Sequence, residues 1–108
     1  MSDQNEVFAI AQLEVTDLET FMRDYAGPLQ PIRAKHGVVV VAASSETKVL
    51  EGEYGHNLTV ILKFPSAQAQ EAWYADPDYQ PLIKRRQELT LAANSRLVVL
   101  PAVPGAAA

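Results

Sequence analysis

The chain has 108 residues, 48% of them hydrophobic and 20% charged, the size and make-up of one globular domain, which excludes an intrinsically disordered chain. Nine Lys and Arg against thirteen Asp and Glu leave a net charge of −4, so neither nucleic acid nor an anionic membrane is an expected partner. No cysteine is present, which removes disulfides, thiolate catalysis and the common structural zinc sites.

Met1 to Glu6 is acidic and amide-rich, without the basic-then-apolar pattern of a signal peptide, and a cytoplasmic location is expected. Val7 to Val15 alternates, with Val7, Ala9, Ala11, Leu13 and Val15 on one face and Phe8, Ile10, Gln12 and Glu14 on the other, which predicts a strand. Thr16 followed by Glu19 has capping-box spacing, and Asp17 adds charge where a helix dipole favours it. In the helix so begun, Leu18, Phe21, Tyr25, Leu29, Ile32 and His36 form one stripe. Pro28 and Pro31 predict a kink or two consecutive helices, and Gly37 a C-terminal stop.

Val38 to Ala43 is a continuous apolar run, which suits a strand buried on both faces. After a polar turn at Ser44 to Thr47, Lys48 to Tyr54 is expected to complete a hairpin with it, and Leu58 to Phe64 to add a further strand. Ser66 is a good N-cap for a short helix through Tyr74, which Asp76, Pro77 and Asp78 break. A longer helix over Tyr79 to Ala93 and a strand over Arg96 to Leu100 follow. The tail Pro101 to Ala108 is expected to fray, leaving a single domain with an ordered core over roughly 7–100.

This order predicts an α+β chain with the split βαβ pattern of a ferredoxin-like sandwich. Two helices would cover one sheet face, and Phe8, Ile10, Ile61 and part of the Val38 to Val41 run would point to the other. An apolar face of that kind calls for a cover, and a second copy packed sheet to sheet, a homodimer, is the simplest one.

Val49 to Gly52 (VLEG), Ile61 to Ser66 (ILKFPS), Glu71 to Ala75 (EAWYA), Pro77 to Gln80 (PDYQ) and Arg86 to Gln87 (RQ) resemble, in order and spacing, the bacterial domain of unknown function 1330 family. The resemblance runs from about Phe8 to Leu100. It implies a dimeric α+β barrel and no particular reaction. Related barrels include cofactor-free monooxygenases, isomerases and haem-handling enzymes. Gly37–Val38 stands where members often carry a Gly-Gly pair, and Asn57 where a basic residue is common, so an anion-binding role at that position does not carry over.

Arg86 draws most attention, because a helix advancing about 100° per residue puts it among Tyr79, Leu82, Ile83, Leu89 and Ala93, away from Lys84, Arg85 and Gln87. A guanidinium on a core-facing stripe must find an anion or carbonyls. It can form an ion pair, with Glu51 the first carboxylate to test, snorkel with only its stem buried, or bind an anionic ligand. His36 at a helix C-terminus reads as a dipole partner, and His56, in the turn Gly55 to Asn57, as a solvated residue or a general base at a barrel mouth. The two histidines lack ligand spacing, so no metal is expected. Tyr74 and Tyr79, and Tyr25 on the first helix, read as packing or as walls of a pocket, whereas Trp73 reads as packing. Glycine-rich phosphate loops and nucleophile elbows are missing from the sequence, and no bound cofactor is expected.

Two functions fit these residues. One is a binder of, or cofactor-independent enzyme for, a small organic ligand; the other is a non-catalytic dimerisation or interaction module. A concave pocket lined by Arg86, a tyrosine and a carboxylate favours the first, and a filled core with Arg86 spent on Glu51 favours the second.

Overall fold

A computed structural model describes residues 5–103. Strand β1 (Val7–Leu13) leads to a helical segment in three pieces: α1 (Leu18–Phe21), a π-helical turn over Met22–Ala26, and α2 (Gly27–Lys35). Strands β2 (Val39–Ser44) and β3 (Leu58–Phe64) follow, then helices α3 (Ala67–Ala75) and α4 (Gln80–Glu88), a 3₁₀ turn at Ala92–Asn94, and β4 (Arg96–Pro101). The sheet order is β2-β3-β1-β4, antiparallel throughout. This is the ferredoxin-like α+β arrangement.

The alternation in β1 sorts side chains as expected. Val7, Ala9 and Leu13 join Leu58, Leu62 and Phe64 of β3 in a core completed by Phe21, Tyr25, Leu29, Ile32, Trp73, Tyr79 and Ile83 from the helices. Asp17, not Thr16, caps α1: its Oδ1 accepts the Thr20 backbone N–H at 3.2 Å and its Oδ2 the Thr20 hydroxyl at 2.8 Å. Thr16 instead donates both its N–H and its hydroxyl to the Leu89 carbonyl, tying β1 to the end of α4.

The break in the first helix lies upstream of where Pro31 predicts it. The Gly27 N–H reaches back to the Met22 carbonyl, the wider spacing of a π turn. Pro28 then begins α2, where its missing N–H costs nothing, and Pro31 stays inside α2. Gly37, at φ +69°, closes α2 with its own N–H on the Ala34 carbonyl and the Val38 N–H on that of Arg33, a Schellman cap.

Three expectations are corrected. The segment 48–54 is not a strand; with its acids and glycines, and Gly52 at φ +89°, it belongs to a long loop, and β3 is the hairpin partner of β2. Nor is β2 buried on both faces: it is the sheet's edge, exposed along its length, with a register shift between Val40 and Ala42. Finally, α4 ends at Glu88, because Thr90 bridges to Val15 and the Leu91 N–H bonds the Glu14 carbonyl, so pairing with β1 overrides the helical tendency of Leu91 to Ala93. The tail begins ordered, since Pro101 closes β4 and the Ala102 N–H bonds the Glu6 carbonyl; 104–108 lie outside the described residues.

The pairing Phe8 with Lys63 and Leu100, and Ile10 with Ile61 and Val98, defines the sheet face away from the helices. Val39 joins it opposite Lys63. None of the described elements covers this face, and Val39 (51%), Val98 (47%) and Leu100 (42%) are exposed.

Candidate functional site

Between the helices and the inner sheet face lies a cavity of about 220 Å³. Its walls are mostly apolar, from Leu13, Phe21, Leu29, Val60 and Leu62 among others, and its polar groups are Tyr25, Tyr79, Arg33, Arg86 and the indole N–H of Trp73, which is buried without a partner. Tyr79 precedes α4 and Arg86 lies two helical turns on, so both side chains share one face. Tyr25 comes from the π turn of the first helix and is buried beside Phe21, with ring centroids 4.9 Å apart.

Tyr25, Tyr79 and Arg86 meet. The Tyr25 and Tyr79 hydroxyls are 2.6 Å apart, and Arg86 Nη1 donates to Tyr79 at 2.9 Å and to Tyr25 at 3.3 Å. The Arg86 guanidinium also lies 5.8 Å from the centre of the Tyr25 ring. Arginine only donates, and one of the two hydroxyls must donate to the other, so one O–H hydrogen is left over. Arg86 is 8% exposed, yet among the described residues no carboxylate pairs with it. Burial works against its charge, but the tyrosine oxygens favour it, and its pKa stays above the ordinary arginine value. Burial pushes the Tyr79 hydroxyl well up, which keeps it protonated and a donor.

The other candidates lie elsewhere. Glu51 sits exposed in the loop between β2 and β3, where the predicted strand does not form, and makes no ion pair with Arg86. Tyr74 is 42% exposed and does not line the cavity, although its ring meets Tyr79 edge-on and its hydroxyl lies close enough to Arg86 to favour that charge. His56 is not a cavity residue either: its Nε2 is 3.2 Å from Arg96 Nη1, at the Gln12–Thr59–Arg96 end of the open sheet face. Arg96 donates there, so Nδ1 carries the proton, buried and without a partner. Tyr54 packs edge-on against this ring and bonds the Thr59 hydroxyl. Asn57 is structural, clamping Val15 by accepting its N–H at 2.7 Å and donating to its carbonyl at 2.9 Å.

His36 does more than face a helix dipole. Its Nε2 lies 2.7 Å from Oδ2 of Asp76, which Lys35 Nζ also reaches at 2.8 Å. Asp76 is 4% exposed, and Lys35, then His36, then the Asp78 N–H hold its carboxyl well below the usual range. This carboxylate ties the end of α2 to the α3–α4 junction. Asp76 was legible only as a helix breaker, since nothing in the sequence places it beside Lys35 and His36. Arg33, on the cavity wall, also escaped notice, although it lies one helical turn beyond the stripe residue Leu29.

A ferredoxin-like α+β fold enclosing an apolar cavity headed by an arginine and two tyrosines is the class these features define. Over residues 6–103 the sequence matches the family described as a domain of unknown function (DUF1330), and the chain belongs to that family. No curated protein matches it. Among solved structures, a protein of unknown function from Rhodopseudomonas palustris is similar at 20% identity and TM-score 0.77, with 93% of this chain and 84% of that one covered. A dimeric ferredoxin-like protein of unknown function from Jannaschia sp. CCS1 is similar at 13% identity and TM-score 0.75, with coverage of 90% and 99%. A mutant of a cofactor-independent oxygenase from Streptomyces nogalater is similar at 15% identity and TM-score 0.64, covering 91% and 93%. At these identities the likeness is one of fold. No helix among the described residues is long and apolar enough to cross a membrane.

Proposed function

We propose that this chain binds a small organic acid, apolar body inward, in the cavity between sheet and helices, with Arg86, Tyr79 and Tyr25 holding its negatively charged oxygen. One observation carries this reading: Arg86 is a buried cation at the wall of an apolar cavity, and no carboxylate among the described residues pairs with it. Buried charges are paired in stable proteins, and a ligand anion would supply the pair that the described residues do not. The cavity exceeds the roughly 150 Å³ that accommodates benzene, so one aromatic ring with a short side arm fits its size.

Among the described residues the cavity lining holds no His, Asp or Glu. The chemistry these walls offer is therefore stabilisation of charge on an oxygen, of a carboxylate or of an enolate formed from the ligand, rather than proton abstraction. That is compatible with cofactor-independent reactions of the kind the Streptomyces neighbour's description names.

In this reading the working unit is a cytoplasmic homodimer formed through the open sheet face. Phe8, Ile10, Val39, Ile61, Val98 and Leu100 support the dimer, as do the neighbours described as dimeric.

A thermal-shift screen of small aromatic and aliphatic acids tests the binding. An acid present at a hundred times its Kd stabilises the chain by about 2.7 kcal/mol, its neutral amide does not, and Arg86→Met removes the effect. Unchanged melting with every acid would return the chain to the alternative of a non-catalytic dimerisation module.

A further inference from the structure

Two arginines border the cavity. Arg33 lies in the last turn of α2, and Met22, Ala26, Leu29 and Arg33 line the cavity at steps of four, three and four residues. Arg33 thus stands where this face would next present an apolar side chain. It is half-buried, and among the described residues no carboxylate lies within ion-pairing distance of it. Arg23, Lys35, Lys63 and Arg85 each have such a partner.

The helix dipole favours a cation in this last turn. Lys35 already meets that preference from the same turn, with its ammonium on Asp76. The dipole gives no reason for Arg33 to border a cavity without any acidic lining. Arg33 follows Tyr25, which Arg86 contacts, by eight residues, about 12 Å along the helix, and the lining residues between them, Ala26 and Leu29, are apolar, so a ligand reaching from one arginine to the other crosses an apolar stretch of the size of one ring with two short arms.

We infer that the cavity is built for an organic dianion, an apolar middle with an acid group at each end, and that Arg33 holds the second acid. This rests on the reading of Arg86 above and adds the class of ligand to it. An uncompensated charge at each end selects the diacid over the monoacid of the same frame, because only the diacid gives both guanidinium groups an anion.

Calorimetric titration of the full chain with phenylacetate and with 1,4-phenylenediacetate tests it. The diacid is expected to bind about tenfold more tightly, in line with one added charge-assisted hydrogen bond. Arg33→Gln brings the two acids to parity, and Arg33→Lys, which keeps the charge without the fork, restores part of the preference. Arg86→Gln weakens both acids, while Lys84→Gln, on an exposed helix position, leaves the ratio intact. A preference that survives in Arg33→Gln, or that the wild type never shows, overturns the role of Arg33. The reading of Arg86 then still stands if phenylacetate binding falls in Arg86→Gln. If neither acid binds the wild type, the role of Arg33 is overturned, while the reading of Arg86 falls only if the wider acid screen also leaves melting unchanged.

Discussion

Arg85 lies partly exposed, with Nη2 2.8 Å from Asp24 and Nη1 3.1 Å from Glu88, whereas its neighbour Arg86 is buried on two hydroxyls. Exposed pairs contribute little, so Arg85→Ala should lower stability by less than about 1 kcal/mol. Arg86→Met is expected to leave it unchanged or raise it by up to about 2 kcal/mol, because Met fills much of the stem's space and removes a buried charge. The hydroxyls left behind still bond each other at 2.6 Å. Denaturant melts decide, and a loss above about 2 kcal/mol for Arg86→Met would make the guanidinium a structural post. Asp76 gives a pH signature instead. Its folded pKa is depressed, so its stabilisation is complete above the unfolded value of 3.8 and fades as pH falls through the folded one. Melting temperature should drop below about pH 4 in the wild type, and drop less steeply in Asp76→Asn.

The elements were legible in proportion to how far their side chains report one buried face. Strand β1 alternates cleanly because helices cover one side, and Tyr79 and Arg86 share a face by spacing alone. Strand β2 misled, since an unbroken apolar run looks alike whether helices, another chain or water lies beyond it. Glu51 falls out as a partner of Arg86 because 48–54 forms a loop in place of the expected strand, and the side chain is exposed there. The approach of Tyr25 to Tyr79 spans 54 residues and depends on a π turn that no local pattern announces. Gly37, by contrast, was plain from sequence and has a measurable role. Its φ of +69° favours glycine over any residue with a Cβ, so Gly37→Ala should cost about 1 to 2 kcal/mol of stability by denaturant melt. An undiminished midpoint would mean that the α2 cap tolerates a side chain.

At the scale of the whole molecule, the proposed dimer would form through the open sheet face. Ile10 and Ile61 are directly paired at its centre, and a charge there would have to be desolvated in a sheet-to-sheet dimer. Ile61→Lys should sediment as a folded monomer where the wild type sediments as a dimer at micromolar concentration; a wild-type monomer would refute the dimer. The cavity lies on the other side of the sheet, and Trp73, the chain's one tryptophan, is part of its wall, 4.6 Å from the Tyr79 ring. The protein therefore carries its own lamp. Excitation absorbed by Tyr79 should pass to an indole shielded from water, whose emission is expected towards the blue end of its range. A molecule entering the cavity should change the brightness of that emission, and unfolding should shift it to the red. Separation of two copies through the far face would leave it as it was, so the light from one ring distinguishes occupancy, unfolding and dissociation in a single unlabelled sample.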